Sequence, residues 1–208
     1  MGDLLLFELA MMLGLAPHSF VEWLMALNDL FSHFPLRMTV EAQAVRRIYV
    51  RESDCFAVHG PVPPALTASV LYSFVDPVIH VCRGEVSVIS TLPANLTLTP
   101  VYRLEPHGPQ GVPTGNVFIR FRSEVPVEGR RQELETCGFS IRESLSYAPH
   151  AAWLQSRDAN IATALNGFAK LCDLNDIELV EPQMLMRRVQ RSPDDSPLNP
   201  PPQGISSE

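Results

Sequence analysis

The side chains able to do chemistry are scattered along this sequence. Its four cysteines, Cys55, Cys82, Cys137 and Cys172, show no C-x-x-C spacing of the kind that puts two thiolates on one metal or in one redox centre. They read as free thiols, with Cys137 and Cys172 buried on the apolar faces of two helices. His80, His107 and His150 also lack metal-ligand spacing, so no metal site and no cofactor is expected. Asp194 and Asp195 fall in a Pro- and Ser-rich tail and read as solvated. Asn95-Leu96-Thr97 is a glycosylation sequon, a pattern short enough to arise often by chance. A small-molecule enzyme built on His or Asp residues therefore has no constellation behind it.

Whole-chain properties narrow the classes further. The 208 residues are 46% hydrophobic, enough for a sizeable core in one large domain or two small ones. The net charge of −7, with Lys170 the single lysine, offers no basic stripe with interleaved aromatics, so nucleic acid is not an expected partner. No apolar span reaches the ~18–20 residues that a membrane helix needs, and no membrane role is expected.

The elements that must position these groups are clearest between Gly115 and Glu181. Val117-Phe118-Ile119-Arg120-Phe121 alternates as a strand, Glu128 to Cys137 is rich in helix formers before Gly138, and Phe139, Ile141, Leu145 and Tyr147 return to strand spacing. A third strand centres on Trp153, whose side chain reads as core. Asp158 or Asn160 then caps a helix with Ile161, Leu165, Phe168 and Cys172 on one stripe. Ile177 to Val180 is the last strand, ended by Glu181-Pro182 because proline donates nothing to a ladder.

Earlier in the chain, Leu4–Leu15 and a second segment opened by the Ser19 and Glu22 capping box read as amphipathic helices. Arg37 to Arg51 reads mainly as strand, and Pro63-Pro64 opens an expected helix over Ala65–Phe74. Val78–Cys82 and Val86–Ser90 read as a hairpin, and Leu96–Leu104 as a strand. The fold class expected is α+β: a ferredoxin-like βαββαβ antiparallel sheet with two helices in the C-terminal half, preceded by a helical N-terminus and a second small α+β region. The domain organisation follows as a helical pair over 1–35, a small α+β region over 36–105, a linker over 106–113, the main unit over 114–190 and a disordered tail over 191–208.

Three runs carry a resemblance. Thr114-Gly115-Asn116-Val117-Phe118-Ile119-Arg120-Phe121, then Leu145-Ser146-Tyr147-Ala148-Pro149-His150-Ala151, then Ala164-Leu165-Asn166-Gly167-Phe168 with Ile177-Glu178-Leu179-Val180-Glu181-Pro182, resemble the N-terminal propeptide of bacterial subtilisin-like serine proteases. That family opens with a TG-x-(hydrophobic)-x-(V/I)-x-F strand and closes with a V-E-(Y/L)-(V/A)-E-P strand. The likeness covers roughly residues 100 to 200, and it rests on the order and spacing of the motifs together.

The resemblance implies a propeptide-like inhibitor and folding chaperone whose partner is a subtilisin-like catalytic domain, in cis or in trans. The open face of the sheet would dock on two helices of the protease, and Glu181, Pro182, Gln183, Met184, Leu185 and Met186 would lie in its substrate cleft as a strand-adding peptide. Arg187-Arg188 would be a processing site. Glu181 would sit at helix N-termini of the protease, where a carboxylate is favoured, although it also suits a solvated strand end. Met184 to Met186 suit an ordinary last strand equally well.

The family's catalytic contexts, an Asp-x-Gly turn, a His-Gly-Thr helix start and a Gly-Thr-Ser-Met-Ala helix start, are missing. His59-Gly60 runs into Pro61, so no proteolytic activity is expected of this chain alone. The resembled family is mostly exported, yet no Lys or Arg precedes Leu4–Leu15 and Glu8 interrupts it, which favours the cytoplasm. The alternative is a non-enzymatic interaction module unrelated to proteases, in which the N-terminal helices bind a partner.

Overall fold

β-Branched and aromatic residues at every second position make strands of most of the chain. The structure, a computed structural model, describes residues 30–42, 45–84 and 96–187. β1 (Arg37–Ala42) turns back into β2 (Val45–His59), with Met38 opposite Tyr49. The first part of β2 pairs with β1, whereas Cys55–His59 pairs with β4 (Ile79–Arg83). Between these parts, a register shift between Arg51 and Phe56 against β5 (Thr97–Leu104) lets one strand serve both neighbours. β3 (Val70–Phe74) lies beyond β4.

β5 returns as β6 (Gln110–Phe121), with Tyr102 opposite Gly111. Further along, β6 pairs with β8 (Ala148–Ser156) on one side and β9 (Ile177–Met186) on the other, while β7 (Phe139–Leu145) lies beyond β8. The sheet has nine antiparallel strands in the order β3-β4-β2-β5-β6-β8-β7, with β1 branching from β2 and β9 from β6. It curls into a half-barrel, and β1 packs against β9.

Two short helices, α1 (Arg131–Thr136) and α2 (Ile161–Gly167), are extended by 3₁₀ turns at Val127–Arg130 and Phe168–Asp173. Asn160 caps α2, its side-chain oxygen accepting from the amides of Ala162 at 2.8 Å and Thr163 at 3.2 Å. Leu134, Leu165 and Leu171 bring these segments onto the main core with Ile119, Phe121 and Leu154 from the second half of the sheet. The same core takes Tyr49, Phe56 and Tyr102 from the first half, each side chain of this kind contributing ~1.5–3 kcal/mol when fully buried. A smaller cluster of Cys55, Ala57, Ile79, Val81, Val101 and Val112 lies apart from it.

This architecture corrects the expected fold. The described residues are mostly β, and the two α-helices among them that pack on the sheet are only six and seven residues long. The strands from β6 to β9 do not form a separate ferredoxin-like sheet with two helices. They continue, through β6, a ladder that begins at the other end of the molecule. The physical cause is the main core, which buries residues from both halves together and so holds them in one sheet. Residues 106–113, expected as a linker, are placed as a tight turn and the start of β6. Gly108 N donates to Leu104 O at 2.7 Å, and Leu104 N to Pro109 O at 3.2 Å.

The helix expected over Ala65–Phe74 is a 3₁₀ turn at Pro64–Ser69 followed by β3. Val70, Tyr72 and Phe74 alternate with exposed Leu71 and Ser73, and that period-two pattern outweighs the helix-opening prolines. Of the expected N-terminal helical pair, only residues from Leu30 onward are described; there Phe31 and Phe34 are buried. Val86–Ser90, Arg188 and the tail over 191–208 also lie outside the described residues.

Candidate binding face

The residues expected to occupy a protease cleft are held in the sheet. Met186, Leu185 and Met184 pair with Gly111, Val112 and Pro113, and Pro182 and Glu181 pair with Val117 and Phe118. β9 therefore runs through Pro182 instead of ending there. It pairs only with β6, so the missing proline N–H can fall on its unpaired side. Pro182 is buried; Met184 and Met186 pack on the main core and Leu185 on the smaller cluster.

Between these paired stretches the ladder is broken by a bulge in β6 at Thr114–Asn116. Gln183 fills it, its side-chain oxygen accepting from Thr114 Oγ1 at 2.7 Å and from Asn116 Nδ2 at 2.8 Å. Asn116 Oδ1 in turn accepts from Arg142 of β7. Glu181 accepts from Arg47 of β2, so it is neither a free strand end nor open to helix N-termini of another molecule without breaking that pair. Arg187, exposed just past β9, places its guanidinium 5.7 Å from the centre of the Tyr72 ring.

Side-chain alternation divides the residues of β6 and β8 between two faces. Val117, Ile119, Phe121, Ala152 and Leu154 enter the main core beside the helices. Phe118 and Trp153 point the other way. They sit directly opposite one another across the ladder, their rings meeting edge to face at 5.2 Å and 62°, and both are half-exposed outside the two buried clusters. Trp153 is thus a surface residue, contrary to its reading as core. Around the pair stand Asn116, Gln155, and Arg120 with its ion-pair partner Glu178 at 3.0 Å. The alternation of Val117, Ile119 and Phe121 was the signal that could have placed Phe118 outside.

Two other arrangements are built from polar groups. On the first half of the sheet, Tyr72 donates to Gln110 Oε1 at 3.1 Å, Gln110 Nε2 donates to Glu52, and Glu52 also pairs with Arg103. Glu52, Asp54 and Cys55 bring one ligand atom each within 4.8 Å of the others. Burial, with the carboxylates of Asp54 and Glu52 adding to it, pushes the Cys55 thiol up to about 12, and burial pushes Tyr72 up to about 12, so both are protonated and poor nucleophiles at neutral pH. Beside α2, a groove of about 440 Å³ is lined by His33, Asn166 and Lys170 among others, but the Asn166 amide already donates to His33 O at 2.8 Å and Ala162 O at 2.9 Å.

Two of the histidines likewise sit in two-member pairs. His59 Nε2 lies 3.0 Å from Thr99 Oγ1, and Ser73 Oγ lies 2.7 Å from His80 Nδ1. All four cysteines are free; Cys55 and Cys82 are buried, whereas Cys137, expected to be buried, is half-buried and Cys172, also expected to be buried, is exposed. No protein-family model matches this chain, and no curated protein or solved structure matches it either.

Proposed function

We propose that this chain is a propeptide-like binding module that inhibits, and assists the folding of, a subtilisin-like serine protease, docking through the outer face of β7, β8, β6 and β9. The Phe118–Trp153 pair carries the proposal. Two large aromatic rings meet outside both buried clusters and keep part of their exposure, and Phe118 belongs to the same Thr114–Phe121 run that resembles the family's opening strand. Aromatic pairs of this kind anchor protein interfaces because they bring large rigid area with little rotamer entropy to lose.

The face is favoured over the Glu181–Met186 strand as the first contact. Those residues would have to leave β6 and break the Gln183 and Arg47 contacts before entering a cleft, whereas Phe118 and Trp153 are part-exposed with the sheet intact.

The test is a titration of a subtilisin-like protease with the full chain, following hydrolysis of a chromogenic peptide. Slow, tight inhibition that Trp153→Arg weakens by two orders of magnitude or more, with the variant's circular dichroism unchanged, is the expected result. Inhibition that persists in Trp153→Arg would move the contact elsewhere. A folded chain that inhibits none of several such proteases would leave the non-enzymatic interaction module as the reading.

A further inference from the structure

Two irregularities in the sheet converge on one side chain. In β6 the bulge at Thr114–Asn116 falls opposite Gln183, with Gly115 at a φ of 86°. In β7 the register shifts between Ile141 and Glu143, which pair with Leu154 and Trp153, and leaves Arg142 between them without a partner on β8. Bulges re-aim side chains, and these two aim at each other. Arg142 reaches over β8 to Asn116 Oδ1 on β6, and Asn116 donates to Gln183 on β9, which Thr114 also holds at 2.7 Å. The run of contacts thus spans β9, β6, β8 and β7.

Asn116 pairs with Gln155 in the row next to Phe118 and Trp153, so the mounted guanidinium lies beside the aromatic pair. The row on the other side holds Arg120, whose charge Glu178 balances at 3.0 Å. Arg142 has no such carboxylate. Among the described residues Asn116 is its one side-chain hydrogen-bond partner, and it forms no ion pair.

We propose that Arg142 is the specificity-determining anchor of this face, taking the side-chain carboxylate of an Asp or Glu on the surface of the partner protease. The inference rests on the docking reading above and names the group that the partner must offer. A guanidinium presents a planar fork of N–H donors matched to two carboxylate oxygens. With one edge fixed by Asn116, less rotamer entropy is left to lose on pairing. Phe118 and Trp153, packed against the partner, exclude water from the pair and so strengthen it.

Glu143, opposite Trp153, is the other charge near the rings. It is exposed, and no side-chain hydrogen bond or ion pair holds it among the described residues. Recognition of a carboxylate by the mounted Arg142 is favoured over recognition of a cation by Glu143 for that reason.

Calorimetric titration of the full chain with an active-site-blocked subtilisin-like protease tests the inference, beside the same protease with its surface carboxylates converted to amides. Arg142→Gln, at an exposed position, weakens binding at least ~10-fold, as loss of a hydrogen-bonded charge does. Amidation costs the parent chain a similar factor and costs Arg142→Gln much less, because the pair is already gone. Arg142→Lys keeps the salt dependence of binding but not the fork, and recovers only part of the affinity. Arg83→Gln, exposed on β4, leaves binding unchanged.

Trp153→Arg separates the anchor from the docking reading. If Trp153→Arg abolishes binding while Arg142→Gln binds like the parent, the face docks and the anchor is overturned. Equal losses on amidation for the parent and for Arg142→Gln overturn it too. Binding indifferent to Trp153→Arg, or no binding by the parent chain, overturns the docking reading and the anchor together.

Discussion

Arg47 of β2 donates to the carboxylate of Glu181 on β9, joining residues 134 positions apart. The pair lies where the half-barrel brings β1 and β9 together, and Arg47 belongs to the strand that β1 pairs with. It ties the first strands of the sheet to the last. Both side chains keep part of their exposure, 42% and 25%, so solvent screens the attraction. A double-mutant cycle with Arg47→Gln and Glu181→Gln is expected to give a coupling of ~0.5–1 kcal/mol in urea unfolding at low salt, falling as salt is added. A coupling of zero would mean that the two ends of the sheet do not cooperate through this contact.

His59 sets a pH dependence. Burial lowers its pKa from 6.5 to about 4, and the neutral ring bonds with Thr99. The unfolded chain takes up a proton below about 6.5 that the folded chain refuses until about 4. The stability associated with the neutral ring is complete above pH 6.5. It is lost as pH falls through that window, by up to about 3 kcal/mol. His59→Gln is expected to flatten the decline in unfolding free energy between pH 6.5 and 4 while leaving the carboxylate-driven loss at lower pH. An unchanged slope would show that His59 protonates freely in the folded state.

Gly84 follows β4 and lies against Phe56, which is fully buried. A Cβ at this position would stand 2.1 Å from Phe56 Cε1. The obstacle is packing, and no positive φ is involved. Gly84→Ala is expected to cost at least ~2 kcal/mol, the upper part of the range for overpacked cores. Phe56→Leu on its own leaves a cavity, but combined with Gly84→Ala it should recover part of the loss, because the smaller side chain vacates the space the methyl needs. Strict additivity of the two costs would show that they do not share that space.

Much of the second half was legible in the sequence because its segments keep a clear period. Asn160, one of two candidate caps, is the one that caps α2, and the Leu165 and Phe168 stripe is buried as its spacing requires. What the sequence hid was long-range. Local alternation in β5 and β6 looks the same whether the strands belong to one sheet or two. The joining pairs, Tyr102 with Gly111 and Arg103 with Gln110, flank a Pro- and Gly-rich turn that reads equally well as a linker. β3 was concealed by Pro63-Pro64, a helix-opening pattern satisfied here by a single 3₁₀ turn.

The candidate face was half legible. The resemblance drew attention to Glu181–Met186, which the structure holds inside the sheet, while the aromatic pair is visible only once β6 and β8 are known to be neighbours, because Phe118 and Trp153 are far apart in sequence.

Trp153 also reports on the proposed docking. It is one of two tryptophans, so Trp23→Phe leaves its emission alone in the spectrum. Half-exposed and set against Phe118, its indole should emit at an intermediate wavelength and remain accessible to acrylamide in the free chain. Burial against a protease surface removes water from the ring, since aromatic anchors sit in the desolvated centre of interfaces. A blue shift with loss of quenching is therefore expected on adding an active-site-blocked subtilisin-like protease that lacks tryptophan, saturating at one protease per chain. Blocking the active site separates this contact from any use of the cleft. If the spectrum does not move while inhibition of the unblocked enzyme persists, the binding surface is β9 or the chain beyond Met186, and the face of β6 and β8 plays no part.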